Sequence, residues 1–287
     1  MNLTQFINSE KSNSPYYVLF GHPIDHSWSP LMHNLALDHY GLDARYHAID
    51  LQSNELSRLA PFLNSESFLG ANVTIPYKQV IADYLDEVDG TARTIGAINT
   101  IVKADYQLQG HNTDHLGFAA PLADFEFALE GEAGVVFGTG GAARAVVTAL
   151  TNIGMQQIYL VSRNPDRITS FEKFRRVEVI SYHNWTSFAE NSTIIVNATP
   201  LGMYPKIDDS PVRDTEIPWL ENRICYDIVY NPITTRFLEQ AKKAGAETTI
   251  GGLEMLIQQA SESFRLWTGR SFPTKLIRNQ LHEELAD

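Results

Sequence analysis

The sequence predicts an α/β fold in two domains, and three observations carry that reading. Short apolar runs alternate with helical patterns from Tyr16 to the C-terminal region, the rhythm of strands in parallel sheets linked by helices. One run, Val135-Val136-Phe137, leads straight into a glycine turn and then a helix ending at Gly154. About 130 residues precede that turn, enough for a separate first domain.

The glycine turn reads Gly138-Thr139-Gly140-Gly141-Ala142-Ala143. Strand, G-x-G-x-x-A and helix in that order predict a Rossmann-type dinucleotide site, because the bare turn lets a pyrophosphate approach the free N–H groups at the helix start. A plain tight turn is the alternative for the glycines alone. A second strand, Gln157 to Val161, follows about 20 residues after the first glycine, the spacing of a βαβ unit. An NAD site takes an acidic residue at the end of that strand. Here the chain has Ser162-Arg163-Asn164-Pro165-Asp166-Arg167. Two guanidiniums suit a 2′-phosphate through charge-assisted forks, so the residues predict NADP as cofactor; two solvated loop arginines are the alternative. Asp166 is expected in the first turn of a following helix.

The remaining elements follow in order. Met1 to Pro15 is polar, without the apolar core of a secretory signal, and reads as a frayed leader or short helix. Tyr16 to Phe20 is a strand. Ser29 has N-cap chemistry with Pro30 at the first helical position, and Gly41 closes that helix. Arg45 to Asp50 alternates as a second strand. Phe68 to Lys78 is a strand broken by Pro76, and Gln79 to Leu85 a helix. Gly96 to Val102 leads into a strand, a hairpin turns near Asp105, and His115 to Phe127 reads as one helix. Beyond the arginine loop come strands at Val177 to Ser181, Thr193 to Val196 and Arg223 to Val229. A helix from Thr235 to Ala244 and a strand from Glu247 to Ile250 follow. Two helices, separated by a turn from Gly269 to Pro273, close the sequence. The expected division is residues 1–115 for substrate, completed by 252–287 packing back, and 116–251 for NADP.

Composition narrows the partners. With 22 basic and 34 acidic residues the formal charge is −12, which disfavours nucleic acid and anionic membranes. No apolar run of about 18 residues occurs, so nothing is expected to span a membrane. The single cysteine, Cys225, rules out an intrachain disulfide and suits the reducing cytoplasm; it reads as core packing. No metal-ligand spacing stands out among the nine histidines. His22, His26 and His33 read as turn and helix-surface residues.

Polar residues gather at strand ends and turns of the first domain: Ser27, Ser29, Asn72, Thr74, Lys78, Asn99, Thr113 and Asp114. Ligands of open α/β sheets bind beyond the carboxyl ends of the strands, and a small polyhydroxylated acid would use hydroxyl, amide and carboxylate partners. Turn and cap chemistry is the alternative for each residue singly. Lys78 could give a proton to a carbonyl oxygen during hydride transfer, with Asp114 as its carboxylate partner; a surface lysine at a helix start is the other reading.

Eight ordered blocks resemble the shikimate dehydrogenase family. They are Gly21 to Asn34, Asn72 to Lys78, Gly96 to Thr100, Gly110 to Asp114, the glycine loop, Asn197 to Met203, Tyr226 to Pro232 and Gly252 to Gln259. The resemblance runs from about residue 16 to the end. It implies reversible NADPH-dependent reduction of 3-dehydroshikimate to shikimate, in aromatic amino acid biosynthesis. Ser27 and Ser29 would bind the substrate carboxylate, with Tyr230 nearby. Thr74, Asn99, Asp114 and Gln259 would bind ring hydroxyls, and Lys78 with Asp114 would be the acid–base pair. Gly138, Thr139, Gly140, Gly141 and Ala142 would hold the pyrophosphate, and Ser162, Arg163 and Arg167 the adenosine phosphate. Asn197, Thr199, Met203 and Gly252 would shape the nicotinamide side, and Ile228 and Met255 would also touch the cofactor. The resemblance also leaves room for a quinate or dual-specificity dehydrogenase, for a ligand sensor without turnover, and for a homodimer. Three departures stand out: Ser162-Arg163-Asn164 where Asn-Arg-Thr is usual, His115 where glycine is usual, and Trp28 where a smaller apolar residue is usual.

Overall fold

The computed structural model describes residues 1–24 and 27–286. Asp25 and His26, inside the first family-like block, lie outside the described residues. The chain folds into two compact units, Met1–Thr113 with Gln259–Asp287, and Asp114–Gln258.

The first unit opens with α1 (Leu3–Ile7), capped by the Asn2 side chain and holding Leu3 and Phe6 in the core. The leader is therefore a short helix and not a frayed end, because two apolar anchors and a cap fix it. β1 (Tyr16–Gly21), α2 (Ser29–His39) and β2 (Arg45–Asp50) follow. Asn34 on α2 clasps the backbone of Tyr46 in β2, donating to its carbonyl and accepting from its N–H. After α3 (Leu59–Leu63) and β3 (Phe68–Val73) come β4 (Glu87–Val88), α4 (Gly90–Ile95), β5 (Thr100–Ala104) and β6 (Gln107–His111). The sheet order is β2-β1-β3-β5-β6-β4. β1 runs parallel to β2 and β3, but β5 runs antiparallel to both β3 and β6. The hairpin expected near Asp105 forms, with Asp105 and Tyr106 both at left-handed φ values, 49° and 64°, the two-residue geometry that joins antiparallel strands. The pairing of β5 with β3 makes this sheet mixed where the alternation of strands and helices pointed to parallel sheets.

Other local expectations change for equally local reasons. Ser29 is not the cap of α2 but its first residue; Trp28 stands at the cap with no side-chain cap bond, and the Ser27 hydroxyl accepts from the Ser29 N–H at 3.3 Å in the turn before the helix. The stretch after Pro76 forms a 3₁₀ helix over Val80–Tyr84. His33 is not on a helix surface. α2 turns Met32, His33, Ala36 and Leu37 inward, and the His33 ring stacks on Tyr46 with centroids 4.4 Å apart.

The second unit begins with α5 (Asp114–Ala119) and α6 (Glu126–Leu129), joined by a 3₁₀ turn over Ala120–Phe125. The single helix expected from His115 to Phe127 is thus broken, since Pro121 has no N–H to continue the α ladder. β7 (Ala133–Phe137), α7 (Gly141–Ile153), β8 (Gln157–Ser162), β9 (Val177–Ser181), α8 (Thr186–Ala189), β10 (Ser192–Asn197), β11 (Ile224–Asp227), α9 (Arg236–Ala244) and β12 (Thr248–Ile250) complete the alternation. Between β8 and β9 only a 3₁₀ turn over Pro165–Arg167 forms, so Asp166 does not open an α-helix. All pairings are parallel, in the order β12-β11-β10-β7-β8-β9. Val136 packs into the core on one face of this sheet, with α7, and Val135 and Phe137 into the core on the other, with Trp185 and Phe237. Burial on both faces is why the strand reads as an unbroken apolar run. Cys225 sits in this second core, and burial pushes its thiol up to about 12.

α10 (Gly252–Thr268) and α11 (Thr274–Ala286) end the chain. From Gln259 onward they belong to the first unit. There Trp267 stacks on Tyr17 and its indole N–H donates to the Ile101 carbonyl at 2.9 Å.

Candidate active site

In the first unit the polar residues meet at one edge of the sheet. β3 brings Thr74 to it from its carboxyl end, with the Thr74 N–H on the Phe20 carbonyl, whereas antiparallel β5 brings Asn99 to it from its amino end; Ser27 follows β1 and precedes α2. Asn99 joins both neighbouring strands: its carbonyl accepts from Val73 N–H at 2.8 Å and its N–H donates to the His111 carbonyl at 3.0 Å. Its side chain is buried. Asn99 Oδ1 accepts from Thr113 N–H at 2.7 Å, and Nδ2 donates to Thr113 Oγ1 at 2.9 Å and to Gln259 Oε1 at 3.4 Å. Asp114 is the next residue after Thr113 and is buried.

Beneath Asn99 lies a second polar layer. Asn72 Nδ2 donates to the Asn99 carbonyl at 3.1 Å and to Ser263 Oγ at 3.0 Å, and the Tyr46 hydroxyl donates to Asn72 Oδ1 at 2.8 Å. Tyr46 rests in turn on His33, whose ring is closed in by Trp267 and Phe272. Burial pushes the His33 imidazole down to about 3, so it is neutral at ordinary pH, and burial raises the Tyr46 phenol well above its usual range. Tyr46 and Ser263 support the site from positions the sequence did not single out. Their signal was weak, one being an ordinary strand tyrosine and the other a helix serine.

Ser27 and Thr74 are half-buried and Ser29 is buried. Trp28 stands half-buried between the serines. Lys78 is half-buried, and its carbonyl accepts from Ile98 N–H at 2.6 Å, which fixes the backbone after Pro76. Gln259 shares its helix with Ser263, whose hydroxyl donates to the Gln259 carbonyl at 3.0 Å.

The second unit gathers its residues at the carboxyl edge of its own sheet. Gly138 leaves β7 with φ +112°, and an added Cβ would stand 2.7 Å from the Ala198 carbonyl oxygen. Nothing within 4 Å would meet a Cβ on Gly140, and no side chain caps α7. The start of α7 thus combines an open approach with N–H groups that a side chain leaves unused, the arrangement that receives a phosphate. Thr139, Gly141 and Ala142 are half-buried around it. After β8, Ser162 is buried and its hydroxyl accepts from Asn164 N–H at 3.1 Å. That turn leaves Arg163 and Arg167 exposed.

Asn197 and Asp227 end β10 and β11 as register partners, and both are fully buried. Asn197 Nδ2 donates to Asp227 Oδ1 at 3.0 Å and to the Leu201 carbonyl at 3.1 Å. Its Oδ1 accepts from Thr199 N–H at 3.0 Å and from the Thr199 hydroxyl at 2.6 Å. Asp227 also accepts from Val229 N–H at 2.9 Å and from the Thr235 hydroxyl at 2.6 Å. Burial pushes its carboxyl up to about 6, and these hydrogen bonds hold it from going higher. Asp227 and Thr235 were not among the predicted site residues, although Asp227 lies in a family-like block.

Gly252 opens α10 where an added Cβ would lie 2.2 Å from the Ile228 carbonyl oxygen, so only glycine fits. Met203 is exposed, Met255 is buried, and Ile228 is half-buried with its N–H on the Asn197 carbonyl at 3.1 Å. Tyr230 belongs to this unit, half-buried, and burial raises its phenol above the usual range.

Comparison with known proteins identifies the family. Residues 19–101 match the family described as shikimate dehydrogenase substrate binding domain, and residues 252–282 match the shikimate 5'-dehydrogenase C-terminal domain. Residues 133–216 match a family described as NADP oxidoreductase, coenzyme F420-dependent. The shikimate dehydrogenase (NADP(+)) of Moorella thermoacetica is 38% identical, with 96% of this chain and 95% of that protein covered. The shikimate 5-dehydrogenase of Thermus thermophilus, solved with NADP(H) and shikimate, superposes with TM-score 0.82 at 34% identity, covering 94% of this chain and 99% of that one. A quinate dehydrogenase from Corynebacterium glutamicum, solved with NAD, gives TM-score 0.83 at 29% identity, covering 94% and 99%. Identity of this order over nearly the whole length of both chains, with both units matched, places the protein in the shikimate dehydrogenase family.

Proposed function

We propose that the protein catalyses reversible reduction of 3-dehydroshikimate to shikimate with NADPH, in the shikimate pathway of aromatic amino acid biosynthesis. The observation that carries this reading is full-length similarity to shikimate dehydrogenases (NADP(+)), joined to arginines rather than a carboxylate after β8. The residues suit the cofactor. The glycine loop and uncapped α7 start would take the pyrophosphate, Arg163 and Arg167 the 2′-phosphate, and Asn197, Thr199, Met203, Ile228, Gly252 and Met255 the nicotinamide half.

When bound, the dinucleotide supplies the hydride to the carbonyl carbon, or takes it back in reverse. The chain's part is to hold the acid and move one proton. Ser27 and Ser29 donate hydroxyl hydrogen bonds to the substrate carboxylate, with Tyr230 assisting, and Thr74, Asn99, Asp114 and Gln259 bind the ring hydroxyls. Asn99 is suited to this because Thr113 fixes its amide in one orientation. Lys78 gives its proton to the oxygen as negative charge develops there, and Asp114 is its carboxylate partner. A homodimer in the cytoplasm completes the proposal, and sedimentation at micromolar concentration reads the dimer as twice the chain mass.

Following nicotinamide absorbance with shikimate and NADP+ tests the whole reading. Turnover with shikimate and NADP+ far exceeding that with quinate or NAD+ is expected. A preference for quinate with NAD+ would assign the runner-up activity, and tight shikimate binding without turnover would make the protein a sensor.

A further inference from the structure

The buried carboxylate of Asp227 asks for an explanation. Its three hydrogen-bond donors, Asn197 Nδ2, Val229 N–H and the Thr235 hydroxyl, are all neutral. An asparagine at this position could accept from the same two N–H groups and turn its own amide towards Thr235. The hydrogen bonds alone therefore do not require a charge, and burying one is costly when no cation balances it.

The position of Asp227 supplies the reason, given the reading of the second unit as a dinucleotide site, on which this inference rests. β7 occupies the middle of the sheet, with β8 on one side and β10 and β11 on the other. A pyrophosphate at the start of α7 lies over the end of β7, and the arginines after β8 draw the adenosine phosphate to that side. The other half of the dinucleotide then extends the opposite way, across the ends of β10 and β11. Those ends are Asn197 and Asp227.

The oxidised nicotinamide ring carries a positive charge and the reduced ring is neutral. We infer that Asp227 is a positioning residue that sets the balance between the two oxidation states of the cofactor, its buried negative charge favouring NADP+ over NADPH while it orients Asn197. The charge acts through poorly polarisable surroundings, where Coulomb attraction is weakly screened. A carboxyl held near 6 by burial is still mostly ionised at neutral pH. Attraction to the charged ring also gives a reason for a buried charge that a neutral isostere could replace, a local cost of the kind that functional sites carry.

Equilibrium binding of NADP+ and NADPH, each titrated separately and read by protein fluorescence, tests this without turnover. In Asp227→Asn, affinity for NADP+ should fall about tenfold more than affinity for NADPH. Thr235→Val removes one donor and keeps the charge, so the ratio of the two affinities should stay within about twofold of wild type. If Asp227→Asn does not fold, Asp227→Ser, smaller and neutral, should give the same change in ratio. Equal losses for both cofactors in the neutral variants would make Asp227 a purely structural residue and overturn the inference. Wild-type protein that bound neither dinucleotide would instead overturn the dinucleotide reading beneath it.

Discussion

Asn197 and Asp227 close two neighbouring strands as register partners, with the amide nitrogen of one 3.0 Å from a carboxylate oxygen of the other. The Asp227 carboxyl titrates near 6 in the folded protein against an ordinary value of 3.8. A raised carboxyl contributes stability that is fully present below about 3.8 and is lost as pH rises through about 6. The uncomplexed Asp227→Asn protein should therefore be more stable than wild type by about 1–3 kcal/mol near pH 7.5. That difference should shrink on acidification towards pH 4. Thermal melts of both proteins across this range measure it, and a constant difference would show that Asp227 titrates normally.

His33 works in the opposite sense. Its folded value of about 3 lies below the ordinary 6.5, so the stability it contributes is present above about 6.5 and is lost as pH falls towards 3. His33→Leu should lower stability at pH 7 through lost packing against Tyr46, yet make it less sensitive to acid. The wild type should lose on the order of 2–4 kcal/mol more than the variant between pH 7 and pH 4. Urea midpoints at several pH values provide the comparison, and parallel curves would place a titratable imidazole in water.

Gly252→Ala tests the close approach at the start of α10. The new Cβ would meet backbone atoms of Ile228 and Val229, the nearest at 2.2 Å, and backbone cannot rotate away as a side chain can. Loss of about 1–3 kcal/mol is expected from overpacking, together with a raised KM for NADPH. A melting temperature equal to wild type would mean that the α10 start relaxes freely.

Cofactor choice should reside in the exposed arginines after β8. Hydrogen bonds to a charged group are worth about 1.5–3 kcal/mol each, so Arg167→Ala should raise the KM for NADPH about tenfold or more and leave that for NADH nearly unchanged. Equal effects on both cofactors would make the arginine structural.

The proposed chemistry rests on Lys78 and Asp114. General acid catalysis contributes about 10² to 10⁴-fold, so Lys78→Met should reduce kcat by that factor with a smaller change in shikimate binding. Asp114→Asn should reduce kcat and also weaken binding. The double variant should be scarcely worse than Lys78→Met, because residues acting as one unit are not additive. Strictly additive losses would separate their roles, and full activity in Lys78→Met would remove the lysine from catalysis.

The βαβ unit was legible in the sequence because its signals are local: a doubly buried strand, a glycine turn and a helix end follow one another without a break. The substrate edge was legible as residue types but not as architecture. The hairpin near Asp105 was a local signal, but nothing local tells that β5 pairs with β3, so the rule that ligands sit at carboxyl ends did not reveal that Asn99 reaches the same edge from a strand's amino end. His33 was misread because its burial comes from Trp267 and Phe272, more than two hundred positions away in the sequence. Asp227 escaped notice for a related reason. An aspartate after an apolar strand looks like ordinary turn chemistry until the facing asparagine and Thr235 are seen to share its two oxygens.

The reversal of β5 has a practical consequence. Because β5 leaves the ligand edge and β6 returns to it, the hairpin tip at Asp105 and Tyr106 projects from the opposite end of the sheet, and Tyr106 is 90% exposed. Cys225, the single cysteine, is buried with its thiol pushed up to about 12, and so supplies little of the thiolate that maleimides attack. Tyr106→Cys would therefore give one reactive handle far from the chemistry, fit for attaching a dye or tethering the enzyme to a surface while its turnover is watched.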